Sequence, residues 1–369
     1  MRFEDVKTFA AAVPLFLAGL LTAWMIDCAP AHAAVIGQPS GCGQAMVCGL
    51  NAPEDLVSVG HGHGVIASRL GGGGIDFIDV KTRRVSSIDL GAMPRAPDPA
   101  YPCSGFDAAA PFYSHGLSVK SDAAGNQRLY VVRHGAREAI EIFKFAKPGN
   151  VSSLQWIGCV LLPKGFEGNA VTGRRDGGFY VTSMVDAGDA ALASKLAELY
   201  AKRRSGAVLN WTPNIGFRQQ PTGPISGPNG VELSPNERWL YVAGWASGGI
   251  WAFDLNRPGS PARRLGVDFM PDNLRWADDG SLLAAGMRAE PGPTFDCAMN
   301  AQPSQRCATR WTVLSIDAAR MSRRYEIRVD DTSGFGDVSV ALTVGRDLWL
   351  GSFGGDTVAI VPNAKRKAS

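Results

Sequence analysis

Several motifs that identify common enzyme classes are missing from this chain of 369 residues. No G-x-S-x-G motif occurs, which argues against a serine hydrolase. No phosphate-binding loop or dinucleotide-binding fingerprint is present, and the Gly71–Gly74 run is better interpreted as a flexible turn. No cysteine spacing indicates a zinc site. Any chemistry must therefore come from another pattern of residues.

Basic blocks are lacking as well. The formal net charge is only +3, and no long Lys/Arg-rich block occurs; Lys365–Lys367 forms a short basic run at the end of the sequence. A solvated terminus explains that run, so we expect no nucleic-acid partner.

Long apolar runs are confined to the N-terminus. Ala10–Trp24 is almost wholly apolar but short for a membrane span. Lys7 precedes the run, and Ala31-His32-Ala33 provides a small-x-small cleavage signal. We interpret residues 1–33 as a cleaved signal peptide, with an uncleaved anchor as the alternative. Residues 34–369 would then form a single exported domain, either periplasmic or secreted.

Cleavage would leave an even number of cysteines, which in an exported chain indicates disulfides. Cys297 and Cys307 bracket a polar loop and form the best local pair. The pairs Cys103–Cys159 and Cys42–Cys48 would complete the set. Buried free thiols are the alternative.

Frequent Gly and Pro, spread along the chain, indicate many short strands and turns. The segment Asn229–Asp254 shows the pattern most clearly, with short apolar strands joined by tight turns. Six such units recur between residues 54 and 361, which predicts an all-β fold, a six-bladed β-propeller. The last unit has fewer strands than the others, so we expect an N-terminal strand to close the ring. Asp186–Arg204 is predicted to be an inserted helix that packs on the fold, with a lid or a weakly supported membrane-surface helix as alternatives.

Four units open on carboxylate or amide side chains. They are Glu54-Asp55, Asn169-Ala170, Asn229-Gly230 and Asp272-Asn273. Each pair precedes a first strand, and the first strands line the central channel of a propeller. These oxygens are suitable ligands for Ca²⁺. The alternative is that these residues only cap turns.

Two histidines occupy related positions. His115 opens the second unit and His134 follows the next strand, so one could act as a base that the other orients. A purely structural role is the alternative for both.

These residues lie in stretches that resemble the paraoxonase family of calcium-dependent lactonases and arylesterases. The resemblance extends from about Cys48 to Val361. It is carried by these segments: Glu54-Asp55-Leu56, Ser114-His115-Gly116-Leu117-Ser118, Tyr130–His134, Glu141–Phe145, Leu161-Leu162-Pro163 before Asn169, Asn229-Gly230 with Ser234-Pro235, and Asp272-Asn273.

The resemblance implies a catalytic Ca²⁺ in the central channel. Its ligands would be Glu54, Asn169, Asn229, Asp272 and Asn273. It also implies that His115 and His134 form the catalytic dyad that activates water.

The resemblance supports the family's second, structural Ca²⁺ site less well. Asp55 and the carbonyl of Leu117 match two of its ligands, but Ala170 replaces the third, an Asp, so that site is in doubt. The cysteine that joins the family's last strand to its N-terminus is also absent from Ala359-Ile360-Val361. Ser183-Met184 stands where the family has Asn-Asp, which predicts a different pocket.

The expected function is Ca²⁺-dependent hydrolysis of small lactones or aryl esters, with Ca²⁺ polarising the carbonyl. One alternative is a gluconolactonase-type hydrolase of sugar lactones, although its mechanism does not need the histidine pair. Another is a non-catalytic propeller that binds a ligand. The sequence indicates neither the acyl chain length nor the ring size of a substrate.

Overall fold

The structure is a computed structural model that describes residues 42–43, 45–103, 105–185, 204–223, 225–289, 296–298, 305, 307–330 and 335–362. Twenty-four strands in these ranges form six antiparallel sheets of four strands each. The first strands of successive sheets contact one another in a closed ring. This arrangement is the predicted six-bladed propeller, with the first strand of each blade at the axis.

The first three blades follow chain order from the inside outward. Blade 1 contains β2 (Leu56–Val59), β3 (Gly64–Ser68), β4 (Ile75–Asp79) and β5 (Val85–Ser87). Blade 2 contains β6 (Phe112–Ser121), β7 (Gln127–Gly135), β8 (Ala139–Phe145) and β9 (Leu154–Leu161). Blade 3 contains β10 (Val171–Gly173), β11 (Phe179–Ser183), β12 (Ala207–Thr212) and β13 (Gly216–Gln219).

The last three blades repeat this plan, with one exception at the end. Blade 4 contains β14 (Pro228–Leu233), β15 (Trp239–Gly244), β16 (Gly249–Asp254) and β17 (Arg263–Gly266). Blade 5 contains β18 (Met270–Trp276), β19 (Leu282–Arg288), β20 (Arg310–Asp317) and β21 (Ser322–Val329). Blade 6 contains β22 (Val338–Val344), β23 (Asp347–Ser352), β24 (Thr357–Pro362) and, outermost, β1 (Met46–Cys48).

The N-terminal strand closes the ring, as predicted. Met46 pairs with Ala359 and Cys48 with Thr357 in an antiparallel ladder between β1 and β24. Backbone pairing thus joins the two ends of the propeller at the place where the expected cysteine is absent. The closure protects the outer edge of the last blade.

The apolar core lies in layers between neighbouring blades. Between blades 2 and 3, for example, Tyr130 and Ile142 pack against Phe179 and Trp211. The last two rings stack with centroids 5.3 Å apart. Strands covered on both faces carry continuous apolar runs, as in β15, whereas the outermost β21 carries exposed arginines.

Three disulfides confirm the predicted pairing: Cys42–Cys48, Cys103–Cys159 and Cys297–Cys307. Disulfides are typical of exported proteins. The described residues contain no helix that is long and apolar enough to cross a membrane. The predicted signal peptide, 1–33, lies outside the described residues. So does the predicted helix Asp186–Arg204, except for Arg204, which is not helical.

Candidate active site

Irregular pairing in the innermost strands shapes the centre of the propeller. Four of these strands shift register against their neighbours, as β-bulges do. The residues within the shifts are His115-Gly116, Asn229-Gly230, Asp272-Asn273 and Ser339. A bulge redirects a side chain that a regular strand would turn toward a neighbouring blade. All of the predicted site residues from blades 2, 4 and 5 except Leu117 and His134 lie in these shifts.

Two glycines let the innermost strands approach closely beside the site. A Cβ on Gly116 would lie 2.5 Å from the carbonyl oxygen of Asn169. A Cβ on Gly230 would lie 2.3 Å from the carbonyl oxygen of Asp272. Both distances are shorter than any ordinary contact, so only glycine fits at these positions. The pairs His115-Gly116 and Asn229-Gly230 thus each combine a site side chain with a close backbone approach.

Four buried side-chain oxygens form a group that we call the acceptor cluster. Its members are Glu54 Oε2, Asn169 Oδ1, Asn229 Oδ1 and Asp272 Oδ1. None of them has a hydrogen-bond partner within the described part of the chain. Each belongs to a predicted Ca²⁺ ligand, and the four come from four different blades. Leaving such atoms buried without a partner costs roughly 1–3 kcal/mol each, so a missing partner is the simplest explanation.

The donor set fits a hard divalent cation. It combines two carboxylates and two amide oxygens, the ligand types that Ca²⁺ prefers. No group of three or more His, Cys, Asp and Glu side chains that could hold a metal occurs among the described residues. The cluster at the axis is of a different kind, because half of its members are amides.

Asn273, the fifth predicted ligand, is turned toward Glu54. Its Nδ2 donates a 2.5 Å hydrogen bond to Glu54 Oε1 and so orients that carboxylate. Two hydroxyls fix the backbone nearby: Ser339 donates to the carbonyl of Glu54 at 2.5 Å, and Thr182 donates to the carbonyl of Asn229 at 2.6 Å. These hydrogen bonds fix the positions of Glu54 and Asn229 in the cluster.

The electrostatics at the centre favour a cation. Burial, together with the nearby Asp272 and Asp55, raises the pKa of Glu54 well above its usual range. Burial and the charge of Asp55 likewise raise the pKa of Asp272. Two carboxyl groups that resist ionisation in a shared buried space would be stabilised as anions by a divalent ion.

The two predicted histidines are in direct contact. His115 Nδ1 lies 3.0 Å from His134 Nε2, and His134 Nδ1 lies 2.8 Å from Glu138 Oε2. The opposite nitrogen of His115, Nε2, lies 3.7 Å from Glu54 Oε2 and 3.5 Å from Asn169 Nδ2. Burial and His134 lower the pKa of His115 well below its usual value, which favours the neutral imidazole. A chain of three side chains therefore leads from Glu138 to the acceptor cluster.

A cavity of about 690 Å³ opens over this group. Its polar floor includes Glu54, His115, Asn169, Asn229 and Asp272. Its apolar wall is formed by Leu70, Met184, Val185, Trp245, Ala298 and Phe353. Ser183 and Met184, which stand where the paraoxonase family has polar residues, both line the cavity. The predicted change in pocket chemistry concerns residues that line this cavity, and it stays a prediction.

The residues predicted to hold a second Ca²⁺ do not fit that ion. Asp55 and the carbonyl of Leu117 do lie together, but both accept hydrogen bonds from the Arg275 guanidinium. Ala170 supplies no carboxylate. A fixed positive charge therefore takes the place expected for the ion.

Sequence reasoning missed Glu138 and Arg275. Glu138 lies in the turn between β7 and β8, four residues after His134, and this spacing was an available signal. Arg275 is a buried charge in the otherwise mostly apolar β18, which is equally conspicuous in hindsight. Their partners, however, could be identified only from the fold.

Comparisons with known proteins agree on the architecture. Residues 143–288 match the family model described as SMP-30/Gluconolactonase/LRE-like region. The match covers less than half of the chain and runs from β8 to β19. A search of curated proteins finds no significant match.

Solved structures of similar fold have varied activities. A gluconolactonase from Xanthomonas campestris is 18% identical, with 91% of this chain and 96% of that one aligned at a TM-score of 0.50. A luciferin-regenerating enzyme is 11% identical, with 86% and 93% aligned at a TM-score of 0.52. A PQQ-bound aldose sugar dehydrogenase from Streptomyces coelicolor is 17% identical, with 90% and 99% aligned at a TM-score of 0.50. At these identities the likeness shows the fold alone, so function must be argued from the site.

Proposed function

We propose that the protein is a Ca²⁺-dependent hydrolase of lactones, with aryl esters as secondary substrates. The observation that carries the proposal is the position of His115. Its Nε2 faces the acceptor cluster, while its Nδ1 is bonded to His134. The candidate metal ligands and the candidate general base thus lie together at the floor of one cavity.

Glu54, Asn169, Asn229 and Asp272 would hold the ion, and Asn273 would orient Glu54. When bound, Ca²⁺ would supply a positive charge that polarises the carbonyl of an ester. The fit rests on the acceptor cluster, whose buried oxygens need a partner.

The hydrogen bonds assign tautomers to the two histidines. Because Glu138 is an acceptor, His134 donates from Nδ1 and accepts at Nε2. His115 then donates from Nδ1 to His134, which leaves its Nε2 able to accept a proton.

The proposed reaction uses His115 Nε2, whose only hydrogen-bonding neighbour among the described residues is Asn169 Nδ2 at 3.5 Å. His115 Nε2 takes a proton from water as the water oxygen attacks the carbonyl carbon of the lactone. The ring C–O bond then breaks, and the departing oxygen takes the proton from His115 Nε2, which gives the hydroxy acid and restores the neutral imidazole. His134 and Glu138 hold the imidazole in position and stabilise its positive charge. General base catalysis of this kind contributes about 10²–10⁴-fold.

The apolar wall of the cavity favours a lactone with an apolar substituent as the substrate. Trp245, Phe353 and Met184 offer apolar surface above the polar floor. An alkyl or aryl group would bury favourably there, at about 25 cal/mol per Å². A ring covered with hydroxyl groups would instead rely on the polar part of the lining, which includes Ser183, Glu138 and Glu167.

Hydrolysis of sugar lactones is the second candidate. The match of residues 143–288 to the gluconolactonase-containing family model favours it. The acceptor cluster would serve both reactions, whereas the histidine chain and the apolar wall favour the first.

A turnover assay tests the proposal. The protein is supplied with an alkyl-substituted lactone, gluconolactone and an aryl acetate, each with Ca²⁺ and with a chelator. We expect Ca²⁺-dependent turnover that is fastest with the alkyl lactone. His115→Gln should lower kcat by about 10²–10⁴-fold.

The matched control is His61→Gln, because His61 is exposed in a turn of blade 1 and should tolerate the change. Full activity of His115→Gln would contradict the base assignment. Turnover of gluconolactone alone would favour the second candidate. No turnover in a protein that binds Ca²⁺ would contradict both and leave a ligand-binding propeller.

A further inference from the structure

The Arg275 guanidinium lies at the axis of the propeller and uses every donor it has. Nε donates to the carbonyl of Leu56 at 2.9 Å, and Nη1 donates to the carbonyl of Leu274 at 2.7 Å and to Glu232 Oε1 at 3.4 Å. Nη2 donates to the carbonyl of Leu117 at 2.8 Å and to Asp55 Oδ2. A guanidinium has five N–H groups, and these contacts account for all five.

Two of these acceptors are the atoms that the sequence resemblance assigned to a second Ca²⁺, namely Asp55 and the Leu117 carbonyl. The third expected ligand is missing, because position 170 is Ala. We infer that Arg275 is a built-in cation that replaces the second metal ion, so that the chain binds one Ca²⁺ rather than two.

The other hydrogen bonds that Asp55 accepts support this inference. Its Oδ1 accepts from the backbone N–H of Leu56 at 2.8 Å, and its Oδ2 accepts from that of Leu117 at 2.7 Å in addition to Arg275. Ca²⁺ takes six to eight oxygen ligands at about 2.3–2.6 Å. An ion at this position would have to displace the guanidinium, whose positive charge would repel it.

The fixed charge joins blades across the axis. Arg275 belongs to blade 5, whereas its partners come from blades 1, 2 and 4. Glu232 extends the connection, because its Oε2 lies 3.5 Å from Thr172 Oγ1 in blade 3. A Ca²⁺ that can dissociate would make the same connection conditional on metal, whereas an arginine makes it permanent.

Counting the bound metal tests the inference directly. The purified protein is equilibrated with Ca²⁺, and the bound ion is measured by isothermal titration and by elemental analysis. We expect one equivalent per chain, lost in Glu54→Gln. Two equivalents, the second lost in Asp55→Asn, would overturn the inference. Zero equivalents would contradict both the proposed central site and the count of one, whereas two equivalents would contradict only the replacement by Arg275, so the two proposals fail differently.

A gain-of-site experiment sharpens the test. Ala170→Asp restores the missing carboxylate but leaves Arg275 in place, so we expect one equivalent still. Ala170→Asp combined with Arg275→Gln should bind two. A second equivalent in Ala170→Asp alone would show that Arg275 does not exclude the ion.

Stability provides a readout that does not depend on metal counting. Arg275→Gln leaves buried acceptors without donors, so Tm should fall by about 5–15 °C even in saturating Ca²⁺. Arg133→Gln is the matched control, because Arg133 is equally buried and paired with Glu141 away from the axis. Combining Arg133→Gln with Ala170→Asp should still give one equivalent. Two equivalents there would contradict a specific role for Arg275.

Discussion

Replacing Asn229 with Ala separates a metal ligand from a turn residue, because only the loss of a ligand gives a loss of stability that depends on Ca²⁺. Asn229 is buried, and its Oδ1 belongs to the acceptor cluster. Its amide nitrogen makes a 3.5 Å contact with Met184 Sδ. Truncation in the metal-free protein therefore removes an acceptor that is already unsatisfied. An unsatisfied buried acceptor costs roughly 1–3 kcal/mol. Its removal therefore offsets the free-energy cost of the small cavity that the change creates.

A loss of stability is expected only when Ca²⁺ is present. Losing one ligand should weaken binding by about 10–100-fold, which corresponds to about 1.4–2.7 kcal/mol. At saturation of the wild type, this difference reduces the Ca²⁺-induced gain in Tm by about 3–10 °C. We thus expect Asn229→Ala to keep the wild-type Tm in chelator within about 2 °C, and to lose stability only with Ca²⁺.

Thermal unfolding in chelator and across a Ca²⁺ titration measures Tm without and with the ion. Isothermal titration gives the Ca²⁺ affinity. Asn126→Ala is the control for a turn asparagine. Asn126 is exposed and bonds to Asp122 within a turn, so its variant should lose the same Tm in both conditions. If Asn229→Ala also lowers Tm equally with and without Ca²⁺, then Asn229 is structural and the metal assignment is wrong.

Two further predictions concern other carboxylates. Glu138→Gln keeps a hydrogen-bond acceptor for His134 but removes the negative charge, so kcat should fall by roughly 10–100-fold with little change in KM; unchanged kcat would show that Glu138 does not act through His134. Burial raises the pKa of Glu232 from 4.5 to about 7. The folded state therefore binds this proton more tightly than the unfolded state does. The stabilisation of the folded state by this tighter proton binding is fully present below pH 4.5. About 3 kcal/mol of stability is lost as pH rises through about 7. Chemical unfolding should show that loss in the wild type and not in Glu232→Gln, and identical pH profiles would contradict it.

The blades could be predicted because their inner strands are short, apolar and separated by turns. β2, β3 and β8 are runs of this kind, at Leu56–Val59, Gly64–Ser68 and Ala139–Phe145. The outermost β21 carries a weaker signal, since its solvent-facing residues Arg323, Arg324 and Arg328 interrupt the apolar alternation. The three-residue β10 carries no signal of its own, because so short a segment has no measurable period.

The candidate site was only partly predictable, and the reason is geometric. Asn169, Asn229 and Asp272 were recognised because each opens a unit, and units of a propeller converge at the axis. The register shifts that redirect these side chains leave no pattern in the sequence. The partners of Arg275 lie as far as 220 residues away, so the guanidinium could not be matched to Asp55 before the fold was known.

Two neighbouring acidic residues at the axis, Glu54 and Asp55, have different roles. Under the proposed function Glu54 would bind a metal ion, whereas Asp55 pairs with the Arg275 guanidinium. Glu54 contributes to the acceptor cluster, which faces the cavity, whereas Asp55 is saturated by backbone N–H groups and Arg275. The first position suits an ion that can exchange with solvent, and the second suits a charge that never leaves. Because Arg275 already connects blades 1, 2, 4 and 5, the propeller does not need a bound ion to hold its centre together. Under the proposed function, the acceptor cluster would exchange its ion with solvent while the fixed guanidinium keeps the blades joined.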